Sequence, residues 1–425
     1  MKRKNYLLEG IKITQAMIND IIFMCETRMK KTYFTRRGNN KMTFKNIIVF
    51  IMNFVKRSTQ LELDDFFKSI DGKDISITKQ AFSEARQKIS PTAFIKLSDG
   101  IIKWFYKDTD YKRYKDYRLL SIDGTILEIP NTETLRDTFG YSENQSMKLA
   151  RAKASALFDI ENNMILTSVF EKYKSSEREQ AKTLINKLED IGFDNDLILF
   201  DRGYPSRDFI SFIEDKKSLN YLMRASKTFI KAIANTKEED QIIEIKHKNK
   251  TLKIRVLRFQ LDSGETETLI TNIYDKSLSI EDFKEIYFKR WNIEVKYNEL
   301  KNRLEIENFS GETPIAVEQD FYATIYLSNM VSLAKIDADA AICEENKDKE
   351  LKYEYKVNTN ILIGKLKNSL VLVLLEKSPW KRSRMLKKIM KEISRNVIPI
   401  RPGRKFTRRM RLRANKNSIN NKRSL

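Results

Sequence analysis

Two apolar runs in this 425-residue chain end on a carboxylate: "LLSID", Leu119 to Asp123, and "LILFD", Leu197 to Asp201. An ionised carboxylate is costly to bury without a partner, although a strand-end Asp is often simply a turn former. The surrounding pattern gives the layers. "YRLLSIDGTILEIP" reads as a strand, a tight turn at Asp123 and Gly124, and a second strand piece. "ASALFDIENNMILTSVFEKY" reads as a hairpin turning at Glu161–Asn163, "SEREQAKTLINKLEDIGF" and "RDFISFIEDKK" as amphipathic helices, and "NYLMRAS" as another strand. Strands paired first by hairpin and then alternating with helices predict a mixed α/β sheet covered on both faces.

The flanks differ in texture. Residues 1–105 read as a helical DNA-binding region: "MTFKNIIVFIMNFVKR" has helical apolar spacing, and "SITKQAFSEARQKIS" opens with Ser76 or Thr78 as a helix cap. The second helix displays Lys79, Gln80, Ser83, Arg86 and Gln87, which suits a helix-turn-helix. The α/β pattern occupies 106–225. A charged, β-rich stretch covers 226–275, where Ile254 and Val256 alternate with Lys253 and Arg255 as a half-exposed strand requires. It reads as a β subdomain inserted into the α/β domain, which resumes over 276–340 from a capping box, Ser279 with Asp282. Residues 341–425 form a helical and basic C-terminal region.

Charge narrows the partners. The chain carries +22 with a pI near 9.6, and from Lys381 to Leu425 there are 17 basic residues against one acidic. "RPGRKFTRRMRLRANK", Arg401 to Lys416, reads as a polyanion-binding arm, and nucleic acid suits it better than a membrane surface or a merely solvated tail. His247 is the single histidine, placed on a hairpin strand, so nucleases built on paired metal-binding histidines are excluded and catalysis must run on carboxylates. Cys25 and Cys343 offer no disulfide framework and point to a reducing cytoplasm. No apolar run approaches the length of a membrane span, so no membrane partner is expected.

"YFKRWNIEVKYNELK" supplies the third carboxylate. At about 100° per residue, Tyr287, Arg290, Glu294 and Lys301 fall within a roughly 60° stripe along the edge of an apolar face containing Ile286, Ile293, Tyr297, Leu300 and Leu304. Partly desolvated charges at such an edge interact more strongly than in open water. Asp123, Asp201 and Glu294 together form an all-oxygen donor set suited to two Mg²⁺ ions, with Mn²⁺ as a substitute. Such a pair serves phosphodiester displacement. Arg290 and Lys301 would hold a phosphate. The three carboxylates are expected to converge on one metal site, with Asp159 as the rival first carboxylate should Asp123 point away.

"SIDGT", "DRGY" and the spacing Tyr287-x2-Arg290-x3-Glu294-x6-Lys301 resemble the DDE transposases of the IS4 type, insertion-sequence enzymes with a Tyr-Arg-Glu-Lys signature. "ARAKASALFDIENN", "SERE", "FSGETPIAVEQDFYATIYLSNM" and "RNVIPIRPGRKFTRR" extend the likeness over most of the chain. The resemblance implies an RNase H-like catalytic domain interrupted by the β-rich insertion, with Asp123, Asp201 and Glu294 as catalytic metal ligands. It implies contacts to double-stranded DNA by Tyr287, Arg290, Lys301, Arg202 and Tyr204, the last two also supporting the second-Asp loop. It further implies binding of terminal inverted repeats, metal-dependent strand cleavage and strand transfer, a homodimer on DNA, and a cytoplasmic, nucleoid-associated protein of a bacterium. One departure stands out: some relatives stack an extruded base on a tryptophan of the insertion, whereas Trp104, Trp291 and Trp380 all lie elsewhere. Either Phe229 or Phe259 substitutes, or a hairpin route uses different contacts; Trp291 reads as packing. Two other functions fit the same residues: an inactive or domesticated DNA-binding protein of this fold, or an RNase H-like nuclease. The intact carboxylate triad argues against the first, and the second leaves the basic tail with little to do.

Overall fold

The computed structural model describes residues 5–35, 41–53, 58–71, 77–145, 147–226, 229–236, 238–261 and 264–401. Ser76 and the basic arm beyond Arg401 lie outside them. Six helices come first: α1 (Tyr6–Ile18), α2 (Ile21–Thr27), α3 (Phe44–Ile51), α4 (Thr59–Asp71), α5 (Lys79–Arg86) and α6 (Thr92–Asp108). Side-chain caps start several of them. Asn5 accepts from Leu8 N, Thr43 from Asn46 N and Thr78 from Ala81 N, each satisfying an amide that the first turn leaves unpaired.

The middle of the chain is α/β. It runs β1 (Arg118–Glu128), α7 (Glu133–Phe139), β2 (Tyr141–Glu143), β3 (Lys148–Asp159), β4 (Met164–Lys172), α8 (Glu177–Ile191), β5 (Asp196–Phe200), α9 (Arg207–Glu214) and β6 (Leu219–Arg224). Next come a short α10 (Lys231–Ala234), β7 (Asp240–His247), β8 (Lys250–Gln260) and β9 (Thr266–Thr271). The C-terminal third contains α11 (Ile280–Phe288), α12 (Trp291–Asn302), α13 (Pro314–Asn346), β10 (Tyr355–Val357), α14 (Thr359–Leu375), α15 (Pro379–Ser394) and β11 (Val397–Pro399).

One mixed sheet organises the molecule, in the order β2-β3-β1-β5-β6-β9-β8-β7, with β4 also paired to β3. β1, β5 and β6 are mutually parallel, and the strands on both sides of them are antiparallel. β9 pairs with β6, so the strands of residues 226–275 continue the central sheet instead of forming a sheet of their own. The sequence pattern shows their alternation but carries no sign of which edge they join.

Helices cover both faces. Along β1 and β5, Leu119, Leu197 and Leu199 face one apolar cluster, which Phe283, Ile286 and Tyr287 of α11 close. Leu120, Ile122, Ile198 and Phe200 face the larger cluster, which runs from Leu7 to Ile393 and takes in the N- and C-terminal helices. α13 is the spine of that side, packed against α1, α6 and β4. The buried Asn329 ties these layers: it accepts from Ile165 N at 2.8 Å and donates to Ile165 O at 2.9 Å and Ser98 Oγ at 3.1 Å.

The helix-turn-helix expectation needs a correction at Arg86. It is not displayed for recognition but is 1% exposed. Its guanidinium donates to Gln319 Oε1 at 2.8 Å, Ser310 Oγ at 2.7 Å, Asp320 Oδ1 at 2.7 Å and Ala316 O at 3.1 Å. Arg86 fastens α5 onto the start of α13. Lys79, Gln80 and Ser83 remain exposed.

Candidate active site

The alternation of side chains along strands decides which groups meet. In the parallel register Ser121 lies opposite Leu199 and Phe200 opposite Met223. Two residues beyond Ser121 and Leu199 come Asp123 and Asp201, side by side where β5 ends. Both follow the odd-numbered leucines and so share the face covered by α11. Asp123 does not sit at a turn. β1 runs straight through it, with Asp123 opposite Ala156 and Gly124 opposite Ser155 of β3. The tight-turn expectation is therefore corrected. Gly124 lies close to its neighbours: a Cβ there would be 3.2 Å from Ser155 Oγ and 3.3 Å from Glu177 Cγ, so those side chains would have to give by a few tenths of an ångström.

Arg290 and Glu294 arrive from above this face. The single helix expected over the Tyr287–Lys301 stripe is two, since α11 ends at Phe288 and α12 begins at Trp291. Lys289 and Arg290 keep right-handed helical angles, and i→i+3 bonds such as Arg290 N to Tyr287 O, 3.0 Å, tighten the junction. The stripe therefore survives. Arg290 is buried between two carboxylates: Nη2 donates to Glu294 Oε1 at 3.0 Å, and Nη1 lies 3.7 Å from Asp123 Oδ2. Its Nε and Nη1 are buried without a hydrogen-bond acceptor, a cost that an incoming acceptor would relieve.

The Asp123 carboxyl is pushed up to about 6, chiefly by burial; the Gly124 amide and Arg290 oppose the shift, and the charges of Asp201 and Glu294 add to it. The three carboxylates thus share one field. Around them the backbone is pinned. Tyr287 donates to Phe200 O at 3.3 Å, Tyr297 to Asp123 O at 2.7 Å, and Lys301 Nζ to Ile126 O at 2.6 Å. Lys301 also lies 3.5 Å from Glu307 Oε1.

The "DRGY" loop divides its residues between surface and core. Arg202 is exposed. Tyr204 is 1% exposed and packs on Phe200 and Phe209, with its hydroxyl buried and unpartnered. Tyr287 is also buried. Tyr204 and Tyr287, expected to contact DNA, thus lie beneath the surface as supports. A residue that sequence reasoning passed over holds the loop: Arg178, at the start of α8, donates to Gly203 O at 2.9 Å and to Tyr204 O at 3.1 Å. Its only signal was its place in "SERE".

Asp159 is not a site residue. It is fully buried, accepting from Tyr106 OH at 2.6 Å, Asn162 N at 3.0 Å and Asn162 Nδ2 at 2.8 Å, and so locks the β3 end to α6. His247 ends β7 and meets Asp208 at 3.1 Å. Trp291, expected to pack, is 42% exposed and stands 5.0 Å from the Arg290 guanidinium. Phe259 is buried and Phe229 packs against the core, so neither is presented for stacking.

Among the described residues no three His, Cys, Asp or Glu side chains are gathered closely enough to hold a metal. The Arg290 guanidinium lies between Asp123 and Glu294, 3.7 Å from the first and 3.0 Å from the second. The donor chemistry nevertheless fits a hard divalent cation. All donors are carboxylate oxygens, one of them desolvated and raised by its neighbours.

Residues 114–330 match the family described as Transposase DDE domain. Over 274 residues the chain is 22% identical to the transposase InsG for insertion sequence element IS4 of Escherichia coli (strain K12). That alignment covers 60% of this chain and 60% of the relative. The fold also overlaps a cryo-EM structure of piggyBac transposase in a synaptic complex with hairpin DNA, with a TM-score of 0.47 and 11% identity over 90% of this chain and 82% of that one.

Proposed function

The chain belongs to the Transposase DDE domain family, and from that premise we propose that it is a DNA transposase, cutting at the terminal inverted repeats of an insertion sequence and joining the freed ends to target DNA. One observation carries the reading: the parallel register that ends with Ser121 opposite Leu199 leads Asp123 and Asp201 to the same end of the sheet, where Arg290 reaches both Asp123 and Glu294. Asp123, Asp201 and Glu294 would hold the divalent cation, Mg²⁺ or Mn²⁺, which when bound activates the attacking oxygen and stabilises the leaving one.

The chain's own groups do the positioning. Arg290 holds Glu294 and carries two buried N–H groups that a phosphate oxygen would satisfy. Tyr297 and Lys301 fix the β1 backbone on either side of Gly124, and Arg178 fixes the loop after Asp201. Arg202 and Lys301 contact DNA, while Tyr204 and Tyr287 brace the strand end beneath. The strand order β4-β3-β1-β5-β6, three antiparallel strands followed by two parallel to the first, supports an RNase H-like core. A homodimer bridging two DNA ends, in a bacterial cytoplasm, completes the proposal.

The test uses purified protein, a labelled duplex carrying the element's end, and Mg²⁺. Wild-type protein should nick at the end and join it to target DNA. Asp123→Ala, Asp201→Ala and Glu294→Ala should bind without cutting. Normal cleavage by the Glu294 variant sinks the assignment, and light scattering that shows only 1:1 active complexes removes the dimer.

A further inference from the structure

The row of charges at the end of the parallel strands does not stop at Asp201. Phe200 pairs with Met223, so the next residue along each strand sets Arg224 beside Asp201. Leu222, two residues earlier, faces the α11 cluster, and Arg224 shares that face. On the next strand Leu269 lies opposite Arg224 and belongs to the same cluster. Glu267, two residues before Leu269, projects on that face just past the end of β6. Arg224 Nη2 stands 3.2 Å from Glu267 Oε2.

The two partners are unequally buried. The Glu267 side chain is 8% exposed and the Arg224 side chain 35%. A carboxylate that deep is costly unless a cation meets it. A guanidinium has five N–H donors in a fixed fork, and one carboxylate engages only part of them. The rest of Arg224, whose side chain is 35% exposed, is open to solvent at the sheet end beside Asp201. Glu267 also feels the charges of Arg290 and Asp201, as expected of a group bordering the same site.

We propose that Arg224, oriented by Glu267, forms a phosphate-binding subsite on the β6–β9 side of Asp201 and takes one backbone phosphate of the DNA. The subsite rests on the DNA-cutting function proposed above. It makes the strands of residues 226–275 part of the substrate cradle, since Glu267 belongs to β9. Arg290 grips the substrate from the helical side and Arg224 from the sheet side, with the carboxylates between them.

The test is the salt dependence of binding to a fluorescent duplex of arbitrary sequence, measured by anisotropy without divalent metal. One phosphate contact contributes a slope of about 0.9 in log K against log salt. Arg224→Gln should lose about one unit of slope and bind roughly ten-fold more weakly at low salt. Arg224→Leu with Glu267→Leu should lose the same unit. It keeps the net charge and replaces the pair by apolar groups, a swap that preserves stability in other buried pairs. An ion pair serving only to close the β6–β9 seam predicts an unchanged slope in the double variant, and that result overturns the proposal even if Arg224→Gln fails to fold. Cleavage in Mg²⁺ by wild type, measured on the same preparation, separates the two levels. If wild type binds and cuts while the variants keep its slope, only the subsite falls. If wild type neither binds nor cuts DNA, the parent reading falls with it.

Discussion

Replacing Asp196 by alanine should weaken the fold far more than an ordinary surface change. Arg118 opens β1 and Asp196 opens β5, directly opposite each other in the parallel register. Arg118 Nε donates to Asp196 Oδ1 at 2.5 Å and Nη2 to Oδ2 at 2.9 Å, with a further bond from Nη2 to Gly192 O at 2.8 Å. Their side chains are 1% and 0% exposed. Removing the carboxylate strands a guanidinium in the core, beneath the Tyr106 ring at 4.9 Å. Breaking a buried pair from one side costs about 3–5 kcal/mol, a large part of the roughly 5–15 kcal/mol that holds a folded protein together. Urea unfolding, followed by tryptophan fluorescence and far-UV circular dichroism, should show a midpoint lower by about 1 M or more. The double variant Arg118→Met with Asp196→Leu should recover most of the loss, because the penalty comes from the orphaned charge and not from the missing pair. A cost below about 1 kcal/mol for Asp196→Ala, or a double variant no better than the single, would refute the reasoning. The pair lies five residues upstream of Asp123 and of Asp201 on their respective strands, so it also pins the register that sets those two side by side.

Other expectations are independent of this one. Asp159, wholly buried, has its carboxyl pushed up to about 6 by burial, against bonds from Tyr106 and Asn162. The folded state therefore binds the extra proton between pH about 4 and 6, and the Asp159 contribution to stability falls as pH rises through that window. Relative to Asp159→Asn, wild type should lose up to about 3 kcal/mol between pH 4 and 7, read from urea midpoints across pH; a constant difference would rule this out. Arg178→Ala should lower the cleavage rate several-fold with little change in DNA affinity, since Arg178 holds only backbone carbonyls of the loop after Asp201; Arg178→Lys should not rescue it. Arg86→Ala should destabilise by about 3 kcal/mol by abandoning Asp320 and the buried Gln319, and an unchanged melting temperature would show that α5 is not fastened there.

What could be read in the sequence was local. "LLSID" and "LILFD" showed their carboxylates because apolar runs that end in charge are conspicuous against a period of two. The Tyr287 stripe was visible for the same reason at a period of 3.6, and the interruption at Lys289 did not erase it because both junction residues stay helical. Asp123–Gly124 was misread because an Asp-Gly pair is the common signal for a turn, and only pairing with β3 shows that it is strand. Arg86 looked like an exposed base on an amphipathic helix, and its burial depends on Gln319 and Asp320, more than 230 residues away in sequence. Arg178 and Glu267 were missed likewise, each acting on a group in another element, and Tyr297, read as part of the apolar face, gave no sign that it holds the Asp123 carbonyl. "YLMR" did carry a sign, since it is a third apolar strand ending in charge.

The packing of the first helices against α13 also sets the order in which the fold can close. Tyr6 N and Leu7 N donate to Asp337, 331 and 330 residues later, at 3.0 and 2.8 Å. A chain emerging from the ribosome exposes the apolar faces of α1 and α6 long before α13 exists to cover them, and contacts this distant slow folding. Glu294 and the helix that carries it also arrive late. A growing chain therefore carries its strand carboxylates without Glu294, and the proposed cutting centre closes only once α12 has been made.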